Sequence, residues 1–565
     1  MKLTTPLLLL LAASAAASAQ TSDSSRSAIK HVLLISVDGM HAVDFKNCSQ
    51  GVDGGQPYCP NLANLGTTGV NYVAASTSKP SDSFPGLMTI VSGASPRTLG
   101  VYYDVAYDRT LAPPAVTTGN GVAAGNCTPN VASGGSRTEF DEGIDIDQTK
   151  LNGGAPGASL TDGGIASIDA QRLDRNPAAG CAPVYPWNFV RTNTIFGVIH
   201  NAGGYTAWSD KHPAYSAVAG RGGNSLDDYY APEINSTVVP LPGVKTPSGI
   251  GCSQIPDSAR TGSWTNSFVN IQCYDTLKVN AILNEIDGKT HDGKRAQVPT
   301  ILGMNFQAVS VGQKLIEANT AIGGYQNSEG IPTPPLRSEI QFVDDSIGEM
   351  VQELKDRGLY ESTLVIITAK HGQSPINPNL YQAFPGHSGT NGTTPATLLS
   401  SVIPASESPL NPTGIGATED DVSLIWLSDA ANMPSAVDTL EKNAKEIGLG
   451  EIYAGPTLSL NYNTPGLPPN DPRTPDIIVT PNVGVTYTGS ASKLSEHGGF
   501  SHDDTNVILL VSNPGFEPRT IYSDVETMQV APTILKALGL DPGSLDGVKL
   551  EGTSVLPHLN FSSNN

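Results

Sequence analysis

The chain has 565 residues, with 32 Lys and Arg against 53 Asp and Glu, for a formal net charge of −21. That balance excludes nucleic acid as a general partner, because a polyanion is repelled by a strongly acidic surface. It also obliges any anionic small molecule to find local positive charge.

The first segment reads as a targeting signal. Lys2 precedes an apolar stretch, Leu7 to Leu11 with neighbouring alanines, that is too short to cross a bilayer. Ala17-Ser18-Ala19 before Gln20 has the small-residue form of a signal-peptidase site. Residues 1–19 are therefore expected to be a signal peptide and 20–29 a flexible N-terminus of a secreted protein. No later run is long and apolar enough for a membrane span. The six cysteines, Cys48, Cys59, Cys127, Cys181, Cys252 and Cys273, form an even set that suits up to three disulfides in a secreted chain. Cys48 with Cys59 is the easiest local bridge. Asn47, Asn126, Asn235, Asn391 and Asn560 each begin an N-x-Ser/Thr sequon, the mark of a surface glycoprotein.

In chain order, His31 to Asp38 is a continuous apolar run ending in an acid. Leu87 to Val91 continues apolar after Pro85, so a helix is expected to start near Ser83. Thr300 to Phe306, Thr363 to Thr368 and Asn506 to Ser512 are further apolar runs, and their Val, Ile and Leu content predicts buried parallel strands. Ser338 to Arg357 places Ile340, Val343, Ile347, Met350, Val351 and Leu354 at helical spacing, with Gly358 as a stop. Ser435 to Ile447 and Ala531 to Leu538 follow the same pattern. Strands alternating with helices predict a three-layer α/β/α sandwich with a mainly parallel central sheet. One large domain over residues 30–560 is expected, with loop or cap insertions at about 105–180, 213–265 and 374–421.

In such a sheet ligands bind beyond the carboxyl ends of the strands. Asp38 and Lys370-His371 fall at those ends. Ser83, in Pro80-Ser81-Asp82-Ser83-Phe84-Pro85-Gly86, falls at a helix N-terminus, where the positive helix end favours an alkoxide and a bound phosphate. His497, His502 and Asp503 lie in one short segment, and neutral imidazole is a standard ligand for zinc. Lys211-His212 follows another strand.

Four pieces of the chain carry a resemblance: VDGM with Asp38, SFPGLMTIVSGASPRTLGVYYD with Ser83, TLVIITAKHG with His371, and EHGGFSHDDTNVILLVSNPG with His497. In this order, over roughly residues 30–555, they resemble the type I phosphodiesterase/nucleotide pyrophosphatase family of the alkaline phosphatase superfamily. The resemblance implies a nucleophile at Ser83 flanked by two zinc ions. One ion's ligands would fall at Asp38, Ser83, Lys370 and His371, and the other's at Asn305, Val309 and His497. The family's asparagine beside the phosphoryl oxygens falls at Asp104. An ammonium has no lone pair to coordinate, and a valine side chain cannot bind a metal.

The expectation is therefore a secreted hydrolase of small phosphate esters, acting through Ser83 and a covalent phospho-enzyme. One or two divalent ions, zinc foremost, would be held by Asp38, Ser83 and His371 with help from His497, His502 or Asp503. Lys370 is expected to replace a missing ion by contacting phosphoryl oxygens, with Lys211 in a lesser role. Two alternatives stand beside this reading. One is a binding or structural protein that has lost activity. The other is a sulfatase or phosphonate hydrolase, although Ser95-Pro96-Arg97 lacks the Cys/Ser-x-Pro-x-Arg spacing.

Overall fold

The computed structural model describes residues 29–561 except 53, 120, 141–167, 235–242, 253–263, 385–392, 401–414, 463–470 and 489–492. The expected signal peptide and the sequons at Asn235 and Asn391 lie outside the described residues.

The run HVLLISV forms β1 (His31–Val37), and its continuous apolar character has a direct cause. Successive side chains point to opposite faces, and both faces are covered. Leu33, Ile35 and Val37 enter one core with helices α2 (Phe268–Ile286) and α3 (Pro334–Asp356). Val32 and Leu34 enter the other, with α1 (Ser83–Ser92) and α4 (Val530–Ala537). Helix α3 starts with Pro334-Pro335 at its first turn, where missing N–H groups cost nothing.

Among the described residues the central sheet has eight strands. The others are β2 (Gly69–Tyr72), β3 (Ala207–Ser209), β4 (Asp228–Tyr230), β5 (Ile301–Phe306), β6 (Thr363–Thr368), β11 (Leu510–Ser512) and β12 (Arg519–Ile521). Their order is β12-β2-β11-β6-β1-β5-β3-β4. β1 pairs in parallel with β5 and β6, with Ser36 opposite both Asn305 and Thr368. β3 is parallel to β5 and β4. The carboxyl ends of β1, β3, β5 and β6 therefore open on one edge.

One expected parallel strand is not parallel. Of the run Asn506 to Ser512 only Leu510–Ser512 joins the sheet, antiparallel to both β6 and β2. Its apolar pattern reports burial on both faces and carries no information about direction.

The insertion expected at about 374–421 holds one strand of a second sheet, and the other three strands follow it in the chain. Strands β7 (Ile415–Glu419), β8 (Ser423–Leu427), β9 (Leu449–Ala454) and β10 (Ile477–Pro481) form an antiparallel sheet ordered β7-β8-β10-β9. Ile425 and Leu427 face a small core with Leu440 and Val479. Leu424 and Trp426 face Tyr102, Tyr103 and Tyr107, which follow α1 in the chain. This sheet thereby walls one side of the region around Ser83.

Three disulfides close the loops: Cys48–Cys59, Cys127–Cys181 and Cys252–Cys273. Among the described residues no helix is long and apolar enough to cross a membrane.

Candidate active site

Ser83 is the first residue of α1, and the helix is capped by its neighbour. The Asp82 carboxylate accepts the Phe84 N–H at 3.2 Å and the Asp104 N–H at 2.9 Å. Capping by Asp82 leaves the Ser83 hydroxyl available for other contacts. Gly86 lets the helix approach the end of β6, because a Cβ at this position would collide with the Lys370 carbonyl. Ser83 Oγ thereby lies 3.0 Å from Lys211 Nζ and 3.2 Å from His371 Nε2.

The His371 ring is oriented from its far side. Its Nδ1 lies 2.8 Å from the Gly372 carbonyl, which can only accept, so Nδ1 carries the proton. In that tautomer Nε2 turns its lone pair to Ser83.

The two lysines do different things. Lys370 is wholly buried and donates to both Asp210 oxygens, at 2.8 and 3.1 Å, with its ammonium 3.9 Å from the centroid of the Tyr215 ring. Asp210 also accepts the Trp208 indole N–H at 3.0 Å. Burial draws the Lys370 pKa below its ordinary value despite Asp210 and Asp38. Lys211 keeps 13% side-chain exposure and lies 3.5 Å from Asp38 Oδ2 as well as beside Ser83. Lys370, from which contact with phosphoryl oxygens was expected, is thus wholly buried and paired with a buried carboxylate, whereas Lys211 meets Ser83.

Asp38 follows β1 as expected and is wholly buried. Its Oδ2 accepts hydrogen bonds from Gln307 Nε2 and, at 3.3 Å, from Asn305 Nδ2, and lies 3.6 Å from His371 Nε2. Burial pushes this carboxyl up, but Lys370, His371 and Lys211 outweigh burial and hold it well below the usual carboxylate range. His497 packs against His371 with ring centroids 4.0 Å apart and ring planes tilted by 55°. Its Nε2 lies 3.7 Å from Asp82 Oδ1 and its Nδ1 3.5 Å from Asp420 Oδ2. Burial, then His371 and Lys314, hold His497 well below the usual imidazole range, so it is neutral. Burial pushes Asp82 up to about 6, against the opposing pull of His371.

Asp38, Ser83, His371, His497 and Lys211 thus come together. His502 does not join them: it opens a short helix at the surface with 80% of its side chain exposed. Asp503 turns its Oδ2 to the Ile376 N–H at 2.8 Å, which makes it a backbone cap.

A two-ion centre does not fit these residues. Val309 is fully buried in the core, and the Asn305 amide points its N–H at Asp38. Asp38 Oδ1, Asp82 Oδ1, Asn305 Oδ1 and His497 Nδ1 are buried without a hydrogen-bond partner, which favours a cation. Against it stands Lys211. An ion bound to Ser83 Oγ would lie within about 5 Å of its Nζ, a repulsion of roughly 7 kcal/mol at an effective dielectric constant near 20. Among the described residues, the one set of three His, Cys or carboxylate side chains with donor atoms within 4.8 Å of one another is Asp420, Glu496 and His497. That set contains neither Asp38 nor Ser83, and Glu496 already pairs with Lys493.

Sequence reading missed Asp82, Asp210, Tyr215 and Gln307. Asp82 and Asp210 stood beside Ser83 and Lys211 in the chain, and adjacency to a candidate was the available signal. Gln307 and Tyr215 carried none.

The structure resembles solved proteins at low sequence identity. Murine ectonucleotide pyrophosphatase/phosphodiesterase 5 aligns with a TM-score of 0.51 and 13% identity, covering 91% of this chain and 96% of that one. An inactive variant of the murine protein in complex with AMP gives 0.52 and 13%, with the same coverage. The human protein gives 0.50 and 12%, covering 94% of this chain and 97% of that one. At such identity the likeness establishes the alkaline-phosphatase-like fold. No curated protein matches the chain in sequence. The family described as type I phosphodiesterase/nucleotide pyrophosphatase matches residues 32–136 and 318–504, which hold Asp38, Ser83, His371 and His497, and the chain belongs to that family.

Proposed function

We propose that the protein is a secreted hydrolase of small phosphate esters that forms a covalent intermediate on Ser83. The family acts on such esters and is normally dependent on divalent metals. The observation that carries the reading is the placement of Ser83 Oγ between His371 Nε2 at 3.2 Å and the Lys211 ammonium at 3.0 Å.

His371 accepts the Ser83 proton, and the resulting alkoxide attacks phosphorus. Lys211 and the positive end of α1 stabilise charge on the alkoxide and the phosphoryl oxygens. Asp38 stays ionised and offsets part of the charge of Lys211 and of protonated His371. Secretion is supported by the N-terminal sequence and by the three disulfides, which suit an oxidising compartment.

The test is turnover of bis-p-nitrophenyl phosphate by the purified chain, with acid quenching and peptide mass spectrometry. Phosphate on Ser83 is expected. Ser83→Ala should lower kcat by at least about 10³-fold. Undiminished turnover by that variant would dismiss the nucleophile. No turnover and no phosphoserine in the wild type would leave a binding protein on this fold.

A further inference from the structure

We infer that Lys211 takes the place of the cation that would bridge Asp38 and Ser83, so that phosphoryl transfer at this site needs no bound metal. The inference rests on the reading of Ser83 as the nucleophile.

Among the described residues, three lysines near the carboxyl edge of the sheet each pair with an aspartate: Lys211 with Asp38 at 3.5 Å, Lys370 with Asp210 at 2.8 Å and Lys278 with Asp275 at 2.9 Å. Two of the three stand where the resemblance places metal chemistry. Lys370 is the residue before His371, and Lys278 donates to the Asn305 carbonyl. Lys278 and Lys370 have no side-chain exposure, while Lys211 retains 13%. The first two are therefore fixed internal charges, and Lys211 alone of the three reaches both the nucleophile and an accessible surface. Its distances, 3.0 Å to Ser83 Oγ and 3.5 Å to Asp38 Oδ2, put one positive charge against both atoms.

The chemistry closes without a metal. The Ser83 proton passes to His371 Nε2, the Ser83 Oγ–P bond forms and the P–O bond to the leaving alcohol breaks. The leaving oxygen takes a proton from solvent, and His371 returns its own to solvent. Water then gives one proton to His371 and attacks phosphorus. The Ser83 Oγ–P bond breaks, and Ser83 recovers a proton from His371. One ester and one water become one alcohol and one acid. Lys211 donates hydrogen bonds throughout and stays an ammonium.

The experiment uses the whole secreted chain. Its metal content is measured by plasma mass spectrometry, and hydrolysis of bis-p-nitrophenyl phosphate is followed before and after dialysis against a chelator. The expected results are less than one equivalent of any transition metal and less than a two-fold change in kcat/KM. Lys211→Ala should lower kcat/KM by about 10²–10³-fold, the loss typical of one transition-state donor, and Lys211→Arg should recover part of it. Stoichiometric metal with activity lost on chelation and restored by zinc would overturn the inference, while phosphoserine at Ser83 would still stand. Wild-type turnover unaffected by Lys211→Ala would overturn it too. Absence of both turnover and phosphoserine would remove the inference together with the nucleophile.

Discussion

Lys370 Nζ lies 2.8 Å from Asp210 Oδ1 with neither side chain exposed. A buried pair of this kind is costly to break, because the remaining partner keeps an uncompensated charge. Lys370→Met and Asp210→Asn should each destabilise the fold by about 3–5 kcal/mol. The double variant should cost clearly less than the sum of the two, because no charge is then left unpaired. Denaturant midpoints of the four proteins would show this. Additive losses would mean that the two groups do not act as a pair.

Gly86→Ala probes the seat of Ser83. Any Cβ at residue 86 meets the Lys370 carbonyl, so helix or strand must move. Overpacking of this kind costs about 1–3 kcal/mol, and the shift should carry Ser83 away from His371. The expected signature is a fall in kcat with little change in KM, together with a lowered melting temperature. Unchanged kcat would mean that α1 adjusts without moving Ser83.

Buried acids predict that stability falls as pH rises. Burial raises Asp344 to about 6 from an ordinary value of 3.8. Glu285, 1% exposed with neither carboxylate oxygen hydrogen-bonded, is raised well above 4.5 by burial and then by Asp228. Each folded carboxyl binds its proton more tightly than the unfolded one, so its contribution is complete below the unfolded value and is lost as pH passes the folded value. The melting temperature should therefore be higher at about pH 4.5 than at about pH 7.5. Glu285→Gln, which cannot titrate, should narrow that difference. Scanning fluorimetry across the range would test the sign.

The disulfides differ in what they constrain. Cys127–Cys181 spans 54 residues and Cys252–Cys273 spans 21. On the loop-entropy account, losing either costs about 2–5 kcal/mol, and losing the longer costs about 0.8 kcal/mol more. Unfolding of the two paired Cys→Ala variants in denaturant would rank them. The reverse order would point to strain or residual structure in place of loop entropy.

Much of the fold was legible because burial leaves its mark along the chain. β1 reads as apolar throughout since Leu33, Ile35 and Val37 face one core and Val32 and Leu34 the other. The turn before α1 was legible through Pro85, and with it the position of Ser83. Direction was not: Leu510–Ser512 has the composition of its parallel neighbours and runs antiparallel. The sheet containing Ser423–Leu427 was hidden among loop-like sequence, because its strands are short and separated by polar segments.

The sequence by itself determined the family and the strand ends that carry Asp38 and His371. Only the tertiary structure decided which lysine meets Ser83. Lys211 and Lys370 belong to different strands, and each could serve as a cation near phosphate. The choice was made by Asp210 and Tyr215, which hold the Lys370 ammonium in the interior. Local composition records whether a residue is buried. It does not record which charge a distant part of the chain brings within 3 Å, and the electrostatics of this site depend on that distance.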